Sequence, residues 1–151
     1  MSTYARNSKL AAYQGVGAYS GVSDADPHRL VLMLMDGALE RLSVARGCLE
    51  RGCGQRGELA RKAAALQQCM NIFAELNGSL NITAGGPLAG NLSDLYDYMI
   101  RRLAVANAQS ELGPVLEVAR LLEELRSAWA AIGPAVKPAL PPEAPRSAAY
   151  G

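Results

Sequence analysis

The chain has one histidine, one tryptophan and one phenylalanine, and aromatic residues make up only 5% of its 151 positions. With His28 as the sole imidazole, a His-paired nucleophile, a two-histidine metal site and a di-iron Glu-x-x-His pair each lack a partner. Cys48, Cys53 and Cys69 are odd in number and contain no CxxC pair, so neither a disulfide framework nor a zinc finger is indicated, and free thiols are expected. Val, Ile and Thr together number 14 against 47 Leu and Ala, which removes the usual filling of strands and favours helices. No apolar run approaches the roughly 18 residues of a membrane span, and residues 1–10 lack the apolar core of a signal peptide. A cytoplasmic protein without membrane insertion is expected. The 15 basic and 14 acidic residues leave a net charge of +1, too little for a chain that works by wrapping nucleic acid.

What is present suffices for one domain with its own core, and its eight prolines fall into two groups. Pro27, Pro87 and Pro114 are widely spaced, whereas the other five lie between Pro134 and Pro145. Asp26-Pro27 supplies an N-cap carboxylate and a preset first residue for a helix reaching about Arg51, which the glycine-rich run 52–57 ends. A second helix is predicted from about Glu58 to Ile82, closed by Thr83-Ala84-Gly85-Gly86-Pro87. Pro87 opens a third, to about Gln109. A fourth starts at Pro114, or slightly earlier with Ser110 as its cap, and ends near Ile132 before Gly133-Pro134. Connections of about five to seven residues favour antiparallel neighbours. The expected fold class is all-α, an antiparallel up-and-down four-helix bundle over residues 26–133. Residues 1–25 are expected to be a flexible segment, forming at most a short helix over residues 5–13, and the Pro/Ala-rich residues 134–151 a disordered tail.

On the first helix, Val31, Leu34, Met35, Ala38, Leu42, Ala45 and Leu49 make one apolar stripe, and on the fourth Val115, Val118, Leu122, Leu125, Trp129 and Ile132 make another. The second and third helices carry more apolar surface than one seam uses. The second has Leu59, Ala63, Leu66, Met70, Phe73 and Leu80 as its main stripe and Ala65, Cys69, Ile72 and Leu76 as a second. The third has Leu88, Leu92, Leu95, Met99 and Ala106, and beside them Tyr96, Ile100, Leu103 and Asn107. The first helix adds Leu32, Met33, Leu39 and Val44 outside its stripe. Helices in a bundle touch two neighbours, which accounts for part of this surplus. A small bundle that is apolar on more than its inward side exposes a patch, and such patches mark where a partner helix docks.

No catalytic or metal-binding residue is assigned, and no cofactor is expected. Asp36 with Glu40 and Asp94 with Asp97 have helical spacings that give a solvated face more often than an acid/base pair. Gly85-Gly86-Pro87-Leu88-Ala89-Gly90 lacks the Lys-Ser/Thr and the preceding strand of a phosphate loop. Arg41, Arg46, Arg51, Arg56, Arg61 and Lys62 surround the first connection, but without interleaved aromatics they read as a solubilising rim.

Three stretches together resemble the flagellar secretion chaperone family FliS. The first is Tyr13-Gln14, Val22 and Asp24-Ala25-Asp26-Pro27, followed by Leu30-Val31-Leu32-Met33-Leu34-Met35-Asp36-Gly37-Ala38. The second is Gly85-Gly86, Asn91-Leu92 and Leu95-Tyr96-Asp97-Tyr98-Met99, with Ala106-Asn107. The third is Glu117-Val118, Leu125-Arg126 and Trp129. They span residues 13–129 in the family's order. The chain departs from the family pattern at Met35, where Tyr is usual, and at Asp24-Ala25-Asp26-Pro27, where Thr-Ala-Ser-Pro is usual; Asp26 caps a helix as Ser does.

The resemblance implies a non-enzymatic export chaperone that binds the C-terminal helical segment of flagellin in the cytoplasm, blocks its premature polymerisation and keeps it competent for type III export. The flagellar export gate is a second implied partner, and the segment near Tyr13 is implied to compete with flagellin for part of the groove. On the extra seams, Ile72, Leu76, Tyr96, Ile100, Leu103 and Asn107 are the candidate client-binding residues, with Leu32 and Leu39 beside them. The alternative is a helical adaptor or regulatory bundle for another flagellar protein.

Overall fold

The computed structural model describes residues 26–80 and 82–133, and these fold as α1 (Pro27–Glu50), α2 (Glu58–Gly78), α3 (Ile82–Gln109) and α4 (Leu112–Ile132). Helix α1 packs on α2 and α4, and α3 packs on the same two. Short connections between successive helices make neighbours antiparallel, so the protein is the up-and-down four-helix bundle that the punctuation predicts. The expectations for residues 1–25 and 134–151 lie outside the described residues.

The helix ends follow local chemistry. Asp26 Oδ1 accepts from His28 N at 3.2 Å and starts α1. Its far end is a Schellman turn: Gly52 takes φ 76°, Gly52 N donates to Leu49 O and Cys53 N to Cys48 O, each at 2.9 Å. Helix α2 stops at Gly78, short of the predicted Ile82, because Ser79 turns back on it, with N donating to Glu75 O and Oγ to Leu76 O. Helix α3 starts earlier than predicted, at Ile82, but Gly86 at φ 59°, ψ −141° interrupts it, so Pro87 still opens its long segment. Ser110 takes φ 51° and closes α3 while Glu111 N donates to Ala106 O; the cap of α4 is therefore Glu111, and Pro114 sits in the first turn of α4, where its missing N–H has no partner to lose. The α2–α3 and α3–α4 connections, residues 79–81 and 110–111, are shorter than predicted.

Met35, Leu42, Leu66, Phe73, Met99, Leu103 and Leu122 form the centre of the core, each fully buried. Phe73 stacks on Tyr96 with ring centroids 6.2 Å apart. Each such side chain contributes about 1.5–3 kcal/mol relative to exposure. The inward face of α2 differs from the predicted main stripe. It runs Glu58, Lys62, Ala65, Leu66, Cys69, Phe73, Leu76, while Leu59 is 57% exposed. The rotation is possible because Lys62, although only 2% exposed, is satisfied: Nζ donates to Asn107 O at 2.9 Å and to Asn107 Oδ1 at 3.1 Å. Leu88 and Ile132, expected on core stripes, are exposed at helix ends.

Candidate functional site

The eight candidate residues do not form one surface. Leu76, Tyr96 and Leu103 lie inside the bundle and pack in its own core rather than being presented to a partner. The physical reason is the rotation of α2 described above, together with a core face on α3 centred between the two predicted stripes, on Tyr96, Met99, Leu103 and Ala106. Burial in this apolar setting pushes the Tyr96 phenol up to about 12, so that ring stays neutral.

The other five are half-buried and fall on three different seams. Ile72 leans on α1, since a Cβ at Gly37 would stand 3.7 Å from Ile72 Cδ1. Leu32 and Leu39 flank Asp36 at helical spacing, and Asp36 faces α4, where Arg126 grips both its carboxylate oxygens. Ile100 and Asn107 lie on the stripe of α3 that faces α2, seven residues apart. Asp97, three residues before Ile100, accepts from Asn77 Nδ2 of α2 at 3.0 Å, and Asn107 accepts from Lys62, which fixes that direction.

This α2–α3 seam carries exposed and half-buried apolar residues on both of its helices. Leu59, Ala63 and Met70 lie on the same side of α2 as Asn77, by their spacing of 4, 7 and 7 residues. Leu59 is exposed and Ala63 and Met70 half-buried; opposite them stand half-buried Ile100 and exposed Ala104. Asn77–Asp97 closes one end and Lys62–Asn107 the other, and the ten-residue step from Asp97 to Asn107 gives the trough between them a length of about 15 Å, nearly three turns of helix. The sequence places Leu59, Ala63 and Met70 on a core stripe; Met70 does pack against the core, whereas Leu59 is exposed. The signal that could have moved Leu59 outward is Lys62, whose burial requires a polar partner across the seam, and Asn107 is such a partner.

The opposite seams are tied by polar groups. At α1–α4, His28 Nε2 donates to Trp129 O at 2.7 Å, Trp129 Nε1 donates to His28 O at 3.0 Å, and the rings stack at 5.2 Å. A carbonyl only accepts, so Nε2 carries the imidazole proton. At α3–α4, Glu117 accepts from Tyr98 Oη and from Arg102 Nε; these bonds hold its carboxyl below the usual carboxylate value and raise the Tyr98 phenol. Both arrangements tie one helix to another. Among the described residues no three potential metal ligands cluster, and no helix is long and apolar enough to cross a membrane.

The comparison with known proteins decides the assignment: the model of the family described as "Flagellar protein FliS" matches residues 9–136. The chain belongs to the FliS family. It is 42% identical over 120 residues to flagellar secretion chaperone FliSB of Pseudomonas aeruginosa, covering 80% of this chain and 91% of that protein. It is 41% identical over 128 residues to flagellar secretion chaperone FliS of Salmonella typhimurium, covering 84% and 91%. To flagellar secretion chaperone FliS of Bacillus subtilis it is 34% identical over 110 residues, covering 73% and 77%. Each of these relatives is named a flagellar secretion chaperone, which agrees with the chaperone role that the resemblance over residues 13–129 implies.

Proposed function

We propose that this FliS family member is a cytoplasmic export chaperone that binds the C-terminal helical segment of flagellin, prevents its premature polymerisation and delivers it to the flagellar export gate. Family membership supports the chaperone role, and the α2–α3 trough is the observation that carries the client assignment. An apolar helix face about three turns long matches its length and its lining of Ala63, Met70, Ile100 and Ala104, with exposed Leu59 just beyond the Lys62 end. Ile72, Leu32 and Leu39 form lesser apolar positions on the α1 side, which a client that wraps the bundle would cross. Leu76, Tyr96 and Leu103 support the surface from within. No step is catalysed; the effect is exclusion of the client's own polymerisation partners by mass action.

The test is light scattering of flagellin induced to polymerise, with and without equimolar chaperone. Suppression with intact flagellin, and none with flagellin truncated at its C-terminal helical segment, is the expected result. Equal suppression of both would remove the C-terminal segment as the client, and no suppression of either would favour the adaptor reading.

A further inference from the structure

The turn that ends α1 brings two of the three cysteines together. A contact between the third residue from the helix end and the second residue beyond the cap frequently accompanies a Schellman turn, and here those positions are Cys48 and Cys53, joined by a backbone hydrogen bond. The Cys48 Cα lies about 2.4 Å from its own carbonyl oxygen and the Cys53 Cα about 1.5 Å from its own nitrogen. With 2.9 Å between that oxygen and nitrogen, the two Cα atoms are at most about 6.8 Å apart. That limit coincides with the upper end of the range a disulfide spans, about 4.4–6.8 Å. The two thiols differ in access: Cys48 is fully buried and Cys53 half-exposed. Cys53 also takes φ 53°, a left-handed conformation uncommon for a residue with a Cβ. Arg51 Nη2 donates to Cys48 Sγ across 3.9 Å, so a cation accompanies the buried sulfur. Cys69 has a different setting. It is buried between α1 and α2, donates to Ala38 O and is pushed up to about 12 by burial, which leaves it inert.

We propose that Cys48 and Cys53 are a thiol pair that closes to an intramolecular disulfide, a modification site separate from the client trough. Cys53, as thiolate, attacks a small oxidised disulfide such as glutathione disulfide. The sulfur–sulfur bond of that molecule breaks, one glutathione thiolate leaves, and a mixed disulfide remains on Cys53. Cys48, losing its proton, attacks the Cys53 sulfur, forms the Cys48–Cys53 bond and expels the second glutathione thiolate. The two protein thiols are oxidised by two electrons, one glutathione disulfide is reduced to two glutathiones, and the two protons go to the departing thiolates. A ring closed over six residues removes little chain entropy, so the bond is readily reversed by reductants rather than a permanent staple.

The test is incubation of the folded full chain with excess glutathione disulfide, then denaturation without reductant, alkylation of the remaining thiols and mass spectrometry of tryptic peptides, since cleavage after Arg51 separates the two cysteines. The proposal predicts disulfide-linked peptides containing Cys48 and Cys53, alkylation at Cys69 alone, and return of all three thiols with dithiothreitol. Cys48→Ala should instead accumulate glutathione on Cys53, and Cys53→Ser should leave Cys48 free and alkylatable. Glutathione persisting on Cys53 of the unsubstituted protein with Cys48 alkylated, both residues remaining unmodified, or links between chains in place of the internal one would each overturn it.

Discussion

The α1–α4 and α2–α3 seams use similar helices to opposite ends. At α1–α4 a two-pronged Asp36–Arg126 pair and the reciprocal His28–Trp129 bonds clamp the helices together along the seam. At α2–α3 the polar ties stand at the two ends, Asn77–Asp97 and Lys62–Asn107, and the stretch between is lined by Ala63, Ala104, Met70 and Ile100. A bundle needs all four seams to fold, and the seam proposed for the client is the one whose middle is apolar. The contrast separates two tasks within one small fold: the clamps hold the frame, and the apolar stretch between the two ties is the surface offered to a partner.

The largest expected effect tests the core that both seams share. Phe73→Ala should cost about 3–5 kcal/mol in denaturant unfolding, because its buried ring is removed from the contact with Tyr96. A loss below 1 kcal/mol would mean that the core repacks freely and that neither seam depends on it.

A smaller effect separates the clamped seam from its packing. Trp129→Phe keeps the aromatic body and removes the bond to His28 O, and should cost about 0.5–1.5 kcal/mol in thermal or denaturant unfolding without changing client affinity. Loss of affinity would show that the α1–α4 seam takes part in binding.

The α3–α4 tie has a pH signature. The Glu117 carboxyl is held below its ordinary value by Tyr98 and then Arg102, so the stability it contributes is fully present above the unfolded value of about 4.3 and disappears as pH falls through the lower folded value. Glu117→Gln should therefore be less stable than the unsubstituted protein at neutral pH, with the gap closing in acid. A gap that is constant across the range would contradict this reading. The smallest effect belongs to Asp36→Ala, about 0.2–1 kcal/mol, since the ion pair is exposed; the loss should shrink in high salt.

Much of the fold was legible because its signals are local. Asp26-Pro27, the glycines after Arg51, Pro87 and Gly133 mark helix limits by chain conformation alone, and the stripes of α1 and α4 repeat cleanly. The site was less legible because seams on α2 and α3 depend on helix rotation, which no single-helix pattern determines. An apolar count places Leu59 inward and Lys62 outward; the structure reverses both, with Lys62 held by a hydrogen bond to Asn107, 45 residues away in sequence. Leu76, Tyr96 and Leu103 were likewise read as surface, because two stripes 100° apart on a helix look alike until the neighbours are known. The His28–Trp129 clamp, joining residues 101 apart, gave no pattern of its own.

The most direct test of the trough is calorimetric titration of the folded chain with a peptide of the flagellin C-terminal helical segment, repeated with Met70→Glu, Ile100→Asp and, as a control on the clamped seam, Asp36→Ala. The expected result is one-to-one binding that weakens at least tenfold, about 1.4 kcal/mol, with either trough substitution while the helical spectrum and melting persist, and that is unchanged by Asp36→Ala. Binding that is indifferent to Met70→Glu and Ile100→Asp but lost with Asp36→Ala would contradict the open-seam reading and move the client to the opposite side of the bundle.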